Sequence, residues 1–147
     1  MSLDKNNKPS SKRKKILNQE PINLLLIEDN PDDIFIIKQL LENVDHFSVK
    51  ILSAETFKQG LNYISENVIH VILLDLNLPD KQGIETYLDL RKHTKNIPII
   101  IMSAITDKEL IYQAIQKGAQ AYFVKGNVEA ESLVRVIRYA IWSFHSQ

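Results

Sequence analysis

The chain has 147 residues, of which 44% are hydrophobic and 24% are charged, and its formal net charge at pH 7 is zero. This length is typical of one globular domain with its own hydrophobic core, and it is too short for two such domains. The absence of cysteine excludes disulfides, thiolate catalysis and cysteine-based zinc sites. No apolar run approaches the ~20 residues of a membrane span. We therefore expect a cytoplasmic protein that does not enter the membrane.

The charges are unevenly distributed along the chain. Residues 1–20 hold six Lys or Arg side chains against two carboxylates and lack hydrophobic periodicity, so we predict a flexible basic arm. A nucleic-acid patch is the alternative for this arm. Residues 21–147 have a net charge of −4 and are predicted to form the folded domain. An acidic domain is not expected to bind nucleic acid.

From residue 22 onward, apolar runs of strand length alternate with segments of helical period. The first strand is predicted over residues 22–27. Asn30 then provides an N-cap, and Pro31 suits the first position of a helix. A second strand is predicted over residues 48–54, and a second helix follows it. The inward positions of these two helices are predicted to be Ile34, Ile37, Leu40, Leu41 and Val44, and then Phe57, Leu61, Ile64 and Val68.

The second half of the chain continues the alternation. Thr106 and Glu109 have the spacing of a capping box, and Gly118 is predicted to end the helix that they open. The predicted strands cover residues 70–75, 96–103 and 121–125, and the other two helices cover residues 83–93 and 127 to about 144. Inward positions are Ile84, Tyr87, Leu88 and Leu90 in the third helix, Leu110, Ala114 and Ile115 in the fourth, and Leu133, Val134, Ile137, Ala140, Ile141 and Phe144 in the last.

Five successive strand–helix units predict an α/β fold. Strands that are apolar on both faces indicate a parallel sheet covered by helices on both sides. Right-handed crossovers leave few topologies, and a flavodoxin-like (βα)5 doubly wound sheet of order 2-1-3-4-5 is favoured. The functional crevice of such a sheet lies at the carboxyl ends of its strands, between strands 1 and 3.

Polar side chains lie at the carboxyl ends of four of the predicted strands. Strand 1 ends in Glu28 and Asp29, strand 3 in Asp75, strand 4 in Ser103 and strand 5 in Lys125. Each residue alone could be a turn former, a helix cap or a surface lysine. Because the carboxyl ends of parallel strands share one edge, we expect three carboxylates, a hydroxyl and an amine to converge there.

Three adjacent carboxylates repel one another unless a cation joins them. A hard cation with oxygen ligands fits this set, and Mg²⁺ is the natural choice. We predict Asp29 and Asp75 as direct ligands, with Glu28 acting directly or through water. The backbone carbonyl of Asn77, two residues after Asp75, could complete the metal shell.

With a metal bound to one oxygen of Asp75, the other oxygen is available as a nucleophile toward phosphorus. A transferring phosphoryl group needs positive charge and hydrogen-bond donors around its oxygens. The metal, the Lys125 ammonium and the Ser103 hydroxyl could supply them. The residues therefore predict phosphorylation of Asp75.

Over residues 22–143 the sequence resembles the receiver domain of two-component response regulators. The resemblance rests on the acidic pair in LLLIEDNPDD, the acceptor aspartate in VILLDLNLPDKQGIE, the hydroxyl residue in IPIIIMSA and the lysine in AYFVKG. It implies transfer of phosphate from the phosphohistidine of a sensor histidine kinase, or from a phosphotransfer protein, to Asp75. Mg²⁺ would be required, and the domain would catalyse only its own phosphorylation and slow dephosphorylation.

The resemblance also implies a conformational switch. Ser103 would move toward the phosphoryl group, and the aromatic residue on strand 5, Tyr122, would turn inward. The face formed by helix 4, strand 5 and helix 5 would then bind an output partner, a downstream domain or a second copy of the chain. The sequence departs from the family at Gly126, where proline usually follows the lysine. We predict a trans bond there, because a cis bond before a non-proline residue costs about 2.5–4 kcal/mol.

Two other functions compete with this interpretation. An aspartate-nucleophile phosphatase would need a general acid two residues after Asp75, where Asn77 stands. A receiver-like module could also bind proteins without ever being phosphorylated. A flavodoxin is less favoured, because no Ser/Thr/Gly-rich phosphate loop follows strand 1. The helix end WSFHSQ lacks a clear cap, which favours a domain from a longer protein over one that acts alone.

Overall fold

The computed structural model describes residues 21–104, 107–126 and 128–146, so the predicted basic arm and Thr106 lie outside the described residues. Within these residues a five-stranded sheet is flanked by five helices. The strands of this sheet are β1 (Ile22–Ile27), β2 (Val49–Ala54), β3 (Val71–Asp75), β4 (Ile99–Ser103) and β5 (Ala121–Val124), and the helices are α1 (Pro31–Glu42), α2 (Phe57–Glu66), α3 (Ile84–His93), α4 (Lys108–Gln116) and α5 (Ala130–His145). A separate antiparallel hairpin of Asn77–Leu78 and Lys81–Gln82 lies between β3 and α3. No helix in the described part of the chain is long and apolar enough to cross a membrane.

The strand order is β2-β1-β3-β4-β5, with every neighbouring pair parallel. This order confirms the predicted flavodoxin-like (βα)5 fold. Strands β1 and β3 are direct neighbours, and Ile27 of β1 pairs with Leu74 of β3. The residues that follow these two positions therefore emerge side by side at the carboxyl edge of the sheet.

Two hydrophobic cores cover the two faces of the sheet. Successive side chains of a strand point to opposite faces, so Leu24 and Leu26 of β1 enter the core beneath α1 and α5. Leu25 and Ile27 enter the core beneath α2, α3 and α4. The central strands β3 and β4 are buried along their whole length. The sheet is thus a rigid support whose strand ends are held in register.

Three predicted details are corrected by the structure. Val68 was expected on the core face of α2, but the helix ends at Glu66 and Asn67 is extended, which leaves Val68 70% exposed. Ile115 is 39% exposed, because it lies toward the surface groove beside α4. Strand β4 begins at Ile99 instead of residue 96, since Pro98 has no N–H to give to a ladder.

The loop between β3 and α3 is hydrogen-bonded to the start of α2. The carboxylate of Asp80 accepts hydrogen bonds from the backbone N–H groups of Phe57 (2.8 Å) and Lys58 (3.1 Å). These bonds hold the pKa of Asp80 below its ordinary value, although burial opposes the shift. Gly83 precedes α3 with φ of +79°, a conformation that favours glycine. These hydrogen bonds therefore restrain the path of the chain between Asp75 and α3.

Candidate functional site

Three carboxylates meet at the carboxyl ends of β1 and β3. Oxygen atoms of Glu28, Asp29 and Asp75 all lie within 4.8 Å of one another. Glu28 is fully buried, Asp75 is almost fully buried, and Asp29 is exposed. The N–H of Glu28 donates to the carbonyl of Ala54 at 2.9 Å, which extends the β1–β2 ladder by one residue. The sheet itself thus places Glu28 beneath the surface of the crevice.

The Lys125 ammonium lies among these carboxylates. Its backbone N–H donates to the carbonyl of Ser103 at 2.9 Å, so the residue continues the β5–β4 pairing. Its Nζ donates to Glu28 Oε1 at 2.9 Å and to Asp75 Oδ2 at 3.4 Å. Burial would lower the pKa of Lys125, but the hydrogen bond to Glu28 and the charge of Asp75 together raise it. The amine therefore stays protonated at physiological pH.

Nζ of Lys125 also contacts Asp33, at 3.1 Å from its Oδ2. Asp33 lies in the first turn of α1, and its place in the site was not predicted from the sequence. Aspartate in a first helical turn is common because it favours the helix dipole, which made the residue look ordinary. The available signal was its position one helical turn after Asp29, on a helix that begins at the crevice.

Burial and the neighbouring charge of Asp75 raise the pKa of Glu28 from 4.5 to about 7. The hydrogen bonds that Glu28 accepts from Lys125 and from the N–H of Asn30 oppose this shift. Part of the Glu28 population is therefore protonated at neutral pH. A cation that joins the carboxylates would remove that proton.

We expect a pH dependence of stability from Glu28. Its pKa is higher in the folded than in the unfolded chain, so the folded chain binds more protons between these two values. In metal-free buffer Glu28 should contribute a rise of about 2 kcal/mol to the free energy of unfolding as the pH falls from about 8 to about 5. The measurement is urea unfolding at several pH values, with Glu28→Gln as the comparison. If Glu28→Gln showed the same pH dependence of stability as the wild type, the raised pKa of Glu28 would be contradicted.

The two oxygens of Asp75 have different surroundings. Oδ1 accepts a hydrogen bond from the backbone N–H of Asn77 at 3.2 Å, whereas Oδ2 faces Lys125. The carboxylate is thus oriented from both sides. The role of the Asn77 carbonyl as a metal ligand stays a prediction.

Ser103 and Tyr122 are not engaged with the carboxylates in this arrangement. Ser103 is buried at the end of β4, and its hydroxyl donates to the carbonyl of Ala104 at 3.0 Å. Tyr122 is 47% exposed and lines a groove of about 380 Å³ between α4 and β5, together with Tyr112 and Ile115. Within the described part of the chain, neither side chain forms a hydrogen bond with the carboxylates of the site.

The departure at Gly126 has the predicted geometry. The described residues contain no cis peptide bond, and Gly126 has φ of +86°. Glycine adopts this conformation without the steric cost of a Cβ atom. The trans bond is confirmed, and the amine of Lys125 still reaches Asp75.

The donor set suits a hard divalent cation. Carboxylate oxygens are the ligands that Mg²⁺ prefers, and the ion usually keeps several waters beside one or two carboxylates. Oxygens of Glu28, Asp29 and Asp75 lie within 4.8 Å of one another, so they could hold one such ion between them directly or through water. The residues present therefore fit the ion.

Comparison with known proteins identifies the family. The family model for the response regulator receiver domain matches residues 24–138. The chain belongs to the response regulator receiver family. Receiver domains also resemble it in three dimensions: one from Clostridium thermocellum is 27% identical with a TM-score of 0.72, over 85% of this chain and 98% of that one.

Two regulators are similar to this receiver domain in sequence. The nitrate/nitrite response regulator protein NarL of Escherichia coli is 32% identical over 84% of this chain and 56% of its own length. The transcriptional regulatory protein KdpE of Staphylococcus aureus is 37% identical over 78% of this chain and 48% of its own length. The chain thus spans about half the length of the curated relatives that it matches.

Proposed function

We propose that this chain is a phospho-accepting receiver domain of a two-component signal transduction system, formed by residues 21–147. An oxygen of Asp75 attacks the phosphorus of a phosphohistidine, the phosphorus–nitrogen bond breaks, and the histidine leaves. The donor is a sensor histidine kinase or a phosphotransfer protein. The observation that carries the proposal is the Lys125 ammonium, 3.4 Å from Asp75 Oδ2 in a cluster of carboxylates.

The other residues of the site support the same chemistry. The Lys125 ammonium and the Ser103 hydroxyl stabilise charge on the phosphoryl oxygens, Ser103 after its hydroxyl leaves the Ala104 carbonyl. The domain has no separate substrate, so it is an enzyme only toward its own phosphorylation and dephosphorylation. Incubation of the full chain with a small phosphodonor, followed by intact mass measurement, tests the proposal. Phosphate uptake that stops when Mg²⁺ is chelated supports it, and no uptake favours a receiver-like protein-binding module instead.

Mg²⁺ would be held by Asp29 and Asp75, with Glu28 bound directly or through water and the Asn77 carbonyl completing the shell. When bound, the ion would neutralise the carboxylates and the charge that develops on the phosphoryl group. Asp29 is exposed, so it can close onto an ion without losing a buried contact.

Asp29→Ala is expected to weaken Mg²⁺ binding at least tenfold, because the ion loses a direct anionic ligand. Titration calorimetry of the full chain measures this affinity. Asp32→Ala is the matched control, since Asp32 is also an exposed aspartate near the start of α1 and lies outside the carboxylate cluster. An Mg²⁺ affinity that is equal in the two variants would remove Asp29 from the ligand set.

We further propose that phosphorylation changes the face formed by α4, β5 and α5. Ser103 would turn from the Ala104 carbonyl toward the phosphoryl group, and Tyr122 would leave the groove beside α4 and turn inward. In NMR spectra, addition of beryllofluoride with Mg²⁺ should shift amide resonances beyond the site, along residues 104–125. Shifts confined to the carboxylate site would contradict the switch.

The altered face would bind an output partner, a downstream domain or a second copy of the chain. Exposed Tyr112 and Tyr122 give it apolar area for such a contact. We propose a cytoplasmic location, with no direct contact of this domain with nucleic acid or membrane. Relatives such as NarL and KdpE are about twice as long as the matched region, so any output that they possess is not assigned to this chain.

A further inference from the structure

The Lys125 ammonium contacts three carboxylates, and only two of them belong to the proposed phosphoryl-transfer site. The third, Asp33, lies 3.1 Å from Nζ, nearer than Asp75 at 3.4 Å. Its side chain is 27% exposed, so the contact is sheltered but not closed to water. Asp33 stands outside the carboxylate cluster that fits Mg²⁺. Its contact with Lys125 therefore needs an explanation other than metal binding.

Helix capping does not provide that explanation. The side-chain oxygen of Asn30 caps α1 by accepting from the N–H groups of Asp32 and Asp33. The Asp33 carboxylate is thus free of the capping role and extends toward Lys125. An acidic group in a first turn also favours the helix dipole, but Asp32 provides that effect equally.

We propose that Asp33 is a positioning residue, which holds the Lys125 ammonium in place for phosphoryl transfer to Asp75; this inference rests on the proposed function. An ammonium has three N–H donors, and the three carboxylates of Glu28, Asp33 and Asp75 accept from all of them. When a phosphoryl group arrives at Asp75, only the third donor has to change its acceptor. Such preorganisation avoids reorientation during the reaction.

Without Asp33, the ammonium is drawn toward Glu28. Glu28 is its nearest partner at 2.9 Å and is fully buried, whereas Asp75 is the most distant of the three. Movement toward Glu28 takes the positive charge away from the phosphoryl oxygens. Asp33, on the first turn of α1, therefore competes with Glu28 for the ammonium and helps to keep it within reach of Asp75.

The test compares Asp33→Asn with Asp32→Asn in the full chain. Both remove one negative charge from the same helical turn, but only Asp33 contacts Lys125. Phosphorylation of Asp75 by phosphoramidate with saturating Mg²⁺ should be about tenfold slower in Asp33→Asn and nearly unchanged in Asp32→Asn. In a Lys125→Gln background, Asp33→Asn should cause no further loss. Equal rates in the two single variants, or an equal loss in the Lys125→Gln background, would overturn the inference.

A second measurement does not depend on phosphorylation. Labelling of Lys125 by an amine-reactive reagent, followed by peptide mass spectrometry, reports how firmly its ammonium is held. Asp33→Asn should label several times faster than wild type and Asp32→Asn, because one of the three carboxylates that hold the ammonium is lost and the remaining contacts break more often. Equal labelling would overturn the inference. A wild-type chain that accepts no phosphate would instead contradict the proposed function, and labelling would then show by itself whether Asp33 holds Lys125.

Discussion

Asp75→Asn is expected to abolish phosphate uptake from a small phosphodonor in the presence of Mg²⁺. The amide has no anionic oxygen to attack phosphorus, and it is a poor ligand for the cation. Asp75 is the only carboxylate of the cluster that lies at the end of β3 and is oriented both by Lys125 and by the N–H of Asn77. Intact mass measurement of the wild type and the variant under identical conditions gives the result.

Asp32→Asn serves as the matched control for this experiment, since it carries the same change of charge outside the cluster. We expect the control to take up phosphate as the wild type does. An unfolding midpoint of Asp75→Asn near that of the wild type would show that the fold is retained. Uptake by Asp75→Asn equal to that of the wild type would show that another residue is the acceptor.

Lys125→Gln is expected to slow phosphorylation of Asp75 about a hundredfold, which is typical for removal of one preorganised donor at a transition state. Glutamine keeps a hydrogen-bonding group but removes the charge that Glu28, Asp33 and Asp75 share. Incubation with phosphoramidate, stopped at a series of times and followed by intact mass measurement, gives the phosphorylation rate. Because the carboxylates then lack their internal cation, Mg²⁺ should also raise the thermal midpoint of this variant more than that of the wild type.

Lys50→Gln is the control for this second experiment, because Lys50 is exposed on β2 near the amino end of the sheet. Its phosphorylation rate should match that of the wild type. A Lys125→Gln rate within threefold of the wild type would mean that the ammonium does not stabilise the transferring group. The close contacts of Lys125 would then be structural only.

The sequence predicted the order of the elements and most of the residues that meet at the crevice. Runs that are apolar on both faces require a parallel sheet covered by helices, and a parallel sheet brings the ends of its strands to one edge. Glu28, Asp29, Asp75 and Lys125 could be selected on that ground alone, and the structure brings all four together. The trans bond before Gly126 could also be predicted, because a cis peptide bond before a residue other than proline has a high free-energy cost.

Tertiary structure decided the details that depend on how a side chain meets elements remote in sequence. Asp33 reaches Lys125 across 92 positions of the chain, a contact that no local pattern contains. The exposure of Val68 depends on where α2 ends, and the outward position of Tyr122 depends on the groove that α4 leaves beside β5. The fold and the acidic cluster could be predicted from the sequence, because hydrophobic periodicity and strand ends are local properties. Which charged groups pair is known only from the folded structure, because the strength of an ion pair depends on the distance between its groups and on their burial.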